Sequence, residues 1–176
     1  MPLKLLAALV AAAVFSASAT ASDALVAELE QRVSTQGVDK VNEYLSGSFT
    51  MLTLNDSTAR CELPAVSLSI QLARGSRSKA VDAHREALRA AAGSCTGFVL
   101  ALISPKEVPT SCASVATWSV SQMARELRRR IKRIEADELL RSTQRGKACR
   151  AAYLYELNNT RVGLRVGPAS SAPPSR

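Results

Sequence analysis

Four cysteines, Cys61, Cys95, Cys112 and Cys149, limit the folds open to this chain. Their number is even, and no two stand at the Cys-x-x-Cys spacing of a zinc knuckle or a thioredoxin-type redox pair. How they behave depends on the compartment, and the first residues speak to that. Met1–Ala21 carries Lys4, an uncharged apolar run from Leu5 to Phe15, and the small-residue sites Ala17-Ser18-Ala19 and Ala19-Thr20-Ala21. This is the pattern of an export leader cut after Ala21, and the run is shorter than the roughly 20 apolar residues of a membrane span. In an oxidising compartment such cysteines are a disulfide framework, structural and not catalytic. Four cysteines permit three pairings, and sequence does not choose among them. We expect Cys61–Cys95 with Cys112–Cys149, because each bridge ties the ends of neighbouring segments.

Beyond the leader, residues 22–166 read as a single helical domain. Leu25, Leu29 and Val33 repeat every four residues behind Asp23, a good N-cap. Val38, Val41, Tyr44 and Leu45 continue the apolar face past Gly37, as one helix or as two with a kink. Phe49–Leu54 is a short apolar stretch that Asn55-Asp56-Ser57 is expected to stop. Residues 58–74 read two ways: Val66, Leu68, Ile70 and Leu72 alternate as in a strand, while Cys61, Ala65, Leu68 and Leu72 share a helical face. Flanking helices and the lack of a partner strand favour helix. An alanine-rich helix follows over Ser78–Ala92, closed by Gly93 at C′. Phe98–Ile103 is apolar all round and should be buried on both sides, and Pro105 and Pro109 bracket a loop.

The clearest element comes next. Ser119 and Gln122 form a capping box, Trp118 and Met123 a hydrophobic staple, and Val120, Met123, Leu127, Ile131 and Ile134 a core stripe. Shorter helices near Ala136–Arg141 and Lys147–Leu157 complete the bundle, with Asn158-Asn159-Thr160 as a break. Val162–Val166 should be a short strand or an extended arm, and 167–176, rich in Ser, Ala and Pro, a disordered tail. The fold class is therefore mostly α, a small disulfide-stapled helical bundle.

Chemistry is sparse. The only histidine, His84, lies in the alanine-rich helix with no nucleophile placed beside it, and reads as a surface or boundary residue. One imidazole is a poor start for a metal site, and no cofactor is expected. Asp137-Glu138 and Glu28/Glu30 point to different helix faces and read as solvated charge. Asn55-Asp56-Ser57 and Asn158-Asn159-Thr160 match a glycosylation pattern, which has no meaning in the bacterial host that the leader suggests.

The large surface feature is a basic run, Arg125, Arg128, Arg129, Arg130, Lys132 and Arg133, on the helix that begins at Ser119. It concentrates charge in a chain with 23 Lys+Arg against 15 Asp+Glu, a net +8. The run reads as lying opposite the core stripe, which makes Arg125, Arg128, Arg129, Lys132 and Arg133 candidates for binding an acidic protein or an anionic envelope component. Nucleic acid is disfavoured by export and by the absence of aromatics among the charges.

Cys95-Thr96-Gly97-Phe98, Cys112, the Ser119-x-x-Gln122 cap with its amphipathic helix, and Cys149 together resemble a known pattern. It is that of the small four-cysteine periplasmic immunity proteins that neutralise amidase effectors of type VI secretion. The resemblance covers residues 95–149, about a third of the chain. It implies a helical, exported, non-catalytic and often dimeric inhibitor whose cysteines are paired, and it carries over no binding residue. Ala101 stands where a glycine is usual, no proline closely follows Cys112, and the helix after Gln122 is far more basic. The first expectation is thus a periplasmic binding protein of inhibitor or adaptor type. The alternatives are a structural envelope component that contacts anionic lipid or wall polymer and, behind it, an envelope enzyme.

Overall fold

In the computed structural model, which describes residues 21–115 and 119–165 and the side chains of 22–115 and 119–160, Gly37 settles the first ambiguity. Its φ of +86° is open to glycine and strained for other residues, so the chain turns there into two helices, α1 (Ala21–Gln36) and α2 (Val38–Leu45). Asp23 sits inside the first turn of α1 rather than at its cap. Leu29 and Val26 of α1 and Val41 and Leu45 of α2 are buried together. Residues 1–20 of the expected leader, Trp118 of the staple and the tail over 167–176 lie outside the described residues.

Helix α3 (Phe49–Ala59) starts at Ser48, whose hydroxyl accepts from the Met51 amide, and runs straight through Asn55-Asp56-Ser57. The expected stop fails because tertiary partners take the side chains that would otherwise compete for the backbone. Asn55 bonds His84, Ser57 meets the Ser22 hydroxyl, and Thr58 meets the Ser69 hydroxyl at 2.7 Å. Cys61, at φ +67°, then reverses the chain.

Helix α4 (Leu63–Leu72), with Pro64 in its first turn, confirms the helical reading of 58–74. It is enclosed almost all round: Ala65, Val66, Leu68, Ser69, Ile70 and Leu72 are all buried. That enclosure explains the strand-like alternation, since a central helix has apolar residues on every side. Ala65, Leu68 and Leu72 face a core built with α1–α3, while Val66 and Ile70 face a second core built from the rest of the chain.

The second core gathers α5 (Lys79–Ser94), α6 (Thr96–Leu102), a 3-10 turn (Pro105–Glu107), α7 (Val108–Ser111), α8 (Val120–Ala136), α9 (Glu138–Ser142) and α10 (Gln144–Arg165). Among the described residues there are ten α-helices and no strand. Several local expectations are corrected. Gly93 lies inside α5 and does not terminate it. Phe98–Ile103 is one-sided: Val99, Leu100 and Ile103 are buried, whereas Ala101 and Leu102 are exposed. The stretch between Pro105 and Pro109 is helical rather than a loop. Helix α10 passes through Asn158-Asn159-Thr160, with Thr160 buried and bonded back to the Glu156 carbonyl, and its backbone stays helical to Arg165. The arm or strand expected from Val162 therefore does not form over the part described.

The disulfides pair as expected. Cys61–Cys95 ties the turn after α3 to the end of α5, and Cys112–Cys149 ties α7 to α10, leaving no free cysteine. Two such bridges fit an oxidising compartment. Among the described residues no helix is long and apolar enough to cross a membrane.

Candidate functional site: the basic face of helix α8

Helix α8 starts with the expected capping box. The Ser119 amide donates to Gln122 Oε1 at 2.9 Å, and the Gln122 amide donates to the Ser119 hydroxyl. Leu127, Ile131 and Ile134 are buried and Met123 half-buried, but Val120 of the expected stripe is 47% exposed.

The basic run divides into two groups. Arg130 is 3% exposed, although the run as a whole reads as an outer face. Its position shows why: it follows Leu127 by three residues and precedes Ile134 by four, which puts it on the buried stripe. Its guanidinium donates to the Arg89 carbonyl at 2.8 Å, bonds Glu126 at 3.2 Å and sits 5.6 Å from the centroid of the buried Tyr153 ring. Gly93 makes room for it, since a Cβ at that position would overlap the Arg130 guanidinium. Arg133, one of the expected contact residues, is half-buried and donates to the Gly93 and Ser94 carbonyls at the end of α5.

This use of arginine recurs through the fold. Arg85 donates to the Ala73 carbonyl after α4, Arg89 to Thr110 in α7, and Arg145 to Leu100 and Ala101 in α6. The last carbonyls of a helix lack intrahelical partners and carry its negative dipole end, so a cation from a neighbouring helix satisfies both. A bundle of many short helices has many such ends. Part of the net positive charge is therefore structural, which composition alone does not reveal.

Arg125, Arg128 and Lys132 behave differently. They are exposed and make no hydrogen bond or ion pair to another described residue. With Arg129 they fall within an arc of about 100° on α8 at helical spacing. Arg129 is 59% exposed and grips Glu126, which also accepts from Arg130. Burial by itself would raise the Glu126 carboxyl, but the bonds from Arg129 and Arg130 outweigh it and hold the group below the usual range. Beside these residues α5 and α8 leave an open cleft of about 460 Å³.

His84 is fully buried, not a surface or boundary residue. Nδ1 lies 2.8 Å from Asn55 Oδ1, Nε2 has no hydrogen-bond partner, and burial lowers the pKa from 6.5 to about 4. The unfolded chain therefore binds more protons than the folded one between these values. Stability should fall as pH drops from 6.5 to 4, by roughly 3 kcal/mol from this group, and no further below. Urea unfolding should show that decline in the wild type and a flatter one in His84→Gln. Equal slopes would assign the decline to other groups.

Of the four carboxylates weighed above, Glu30 and Glu138 are exposed and the other two have local partners. Glu28 pairs with Arg32 at 2.9 Å, and Asp137 caps α9 by accepting from the Leu140 amide. Among the described residues no three His, Cys, Asp or Glu side chains are grouped to hold a metal ion. Compared with known proteins, the chain matches no family model, no curated protein and no solved structure.

Proposed function

We propose that this is an exported, periplasmic, non-catalytic binding protein of inhibitor or adaptor type, and that the exposed face of α8 meets an acidic protein partner. One observation carries the reading: Arg125, Arg128 and Lys132 stand together without partners among the described residues, in a fold that uses so many other arginines internally. Three exposed cations on one helix, with no bonded partner among the described residues, repel each other, and an external anion is a natural counterpart. The enclosure of His84 supports a non-catalytic role, because a general base must reach its substrate. The likeness of residues 95–149 to periplasmic immunity proteins points to the same class.

Electrostatic steering makes such an association fast and salt-sensitive. Arg125→Glu/Arg128→Glu/Lys132→Glu should abolish capture of the partner from an envelope extract at low salt. Its melting temperature should stay within about 6 °C of wild type, since exposed substitutions rarely exceed 0.5 kcal/mol each. Intact capture by this variant would remove the face from consideration. Co-sedimentation with anionic liposomes that depends on the same residues would instead support an envelope structural role.

A further inference from the structure

The cleft between α5 and α8 is lined by Ser94, Gln122, Arg125, Glu126, Arg129 and Arg130 among others. Three guanidinium groups and one carboxylate meet there. Arg130 is 3% exposed and fixed by the Arg89 carbonyl, Glu126 is 20% exposed, and Arg129 is 59% exposed. Glu126 is held twice, by the fork of Arg129 and by Arg130 Nε at 3.2 Å. Arg129 can therefore release Glu126 without stranding it, because Arg130 keeps hold of the carboxylate. Arg125, one turn earlier on α8, has no bonded partner among the described residues.

We propose that this cleft receives an acidic side chain of the protein partner, clamped between Arg125 and Arg129, with Arg129 exchanging Glu126 for the incoming carboxylate. The inference rests on the basic-face reading above and adds to it one defined contact beside Arg128 and Lys132. Glu126 already occupies the fork as an internal carboxylate, which shows that the geometry accepts the group, and planar guanidinium forks favour carboxylates over a bare point charge. Shape selects protein over membrane. A concave site between two helices takes a protruding side chain, whereas a bilayer would meet the outward Arg128 and Lys132.

Hexaglutamate is a suitable probe, titrated into the full exported chain at low salt and followed by calorimetry and by the arginine Nε–H resonances. Arg128→Ala and Arg129→Ala form a matched pair: each removes one exposed charge from the same helix, but only Arg129 lines the cleft. Arg129→Ala should weaken binding about tenfold, as loss of a charge-assisted bond implies, and Arg128→Ala no more than about twofold. In the wild type the Arg125 and Arg129 resonances should shift and that of Arg128 should not. Equal losses from the two variants, equal shifts, or no hexaglutamate binding would overturn the cleft proposal. Displacement of hexaglutamate by phosphatidylglycerol vesicles that depends on Arg128 and Lys132 would replace it with a lipid contact. The basic-face reading fails separately, through intact partner capture by the triple charge reversal.

Discussion

Arg130→Ala should destabilise the fold by about 2–3 kcal/mol, the scale of losing hydrogen bonds made by a buried charged group, while Glu126 keeps Arg129 as its partner. Arg128→Ala, two residues away, should stay within about 0.5 kcal/mol. The contrast follows from burial alone. Arg130 is 3% exposed and joins α8 to α5 through the Arg89 carbonyl and to α10 through Tyr153, whereas Arg128 points to solvent. Gly93→Ala should move in the same direction. Ordinarily alanine is better than glycine in a helix by about 1 kcal/mol, but here its methyl would displace the guanidinium, and the larger effect wins. Denaturant unfolding at neutral pH reads all three. Arg130→Ala and Arg128→Ala unfolding at the same midpoint would mean that Arg130 has no structural role.

Removing the second disulfide, as Cys112→Ala/Cys149→Ala, should cost about 4 kcal/mol. The bridge closes a sequence separation of 37, and both cysteines are fully buried. The loss should concentrate on α7, a helix of four residues that the bridge anchors to α10. A helix so short has no stability of its own. Amide exchange across Val108–Ser111 should rise well ahead of exchange in α8. A change below about 1 kcal/mol would show that packing around Val108 suffices without the covalent link.

Local signals were legible where a short-range rule governed the outcome. The Ser119–Gln122 box depends on residues within a turn of each other, whereas at Gly37 the sequence leaves one helix or two open and the backbone decides for two. The disulfide pairing was also anticipated, by adjacency of segments. The errors share a different cause. Asn55, Ser57 and Thr160 look like breakers, yet each finds a partner from elsewhere in the fold or one turn back in its own helix, and the helices run on. Gly93 looks like a terminator because its actual reason, the approach of Arg130 from a helix far along the chain, is invisible locally. His84 could have been placed, since Ala80, Val81, Leu88 and His84 lie on one side of α5 at helical spacing, and all four are buried.

The candidate site was half legible. The basic run marked α8, and the same 100° count that drew its outer face should have excluded Arg130. The engagement of Arg133 with the end of α5 was not readable, because it depends on where a second helix stops. What remains exposed after these subtractions is a smaller patch than composition suggests, but a better defined one.

The central claim is that α8 carries two kinds of cation, one holding the bundle together and one facing outward to a partner. The most direct test is a set of single alanine variants at Arg125, Arg128, Arg130, Lys132 and Arg133, each melted and each assayed for capture of the partner from envelope extract at low salt. The account predicts two separate groups: Arg130 and Arg133 lower the melting temperature, while Arg125, Arg128 and Lys132 weaken capture and leave melting unchanged. Stability losses spread evenly along the run, or capture indifferent to all three exposed cations, would contradict it.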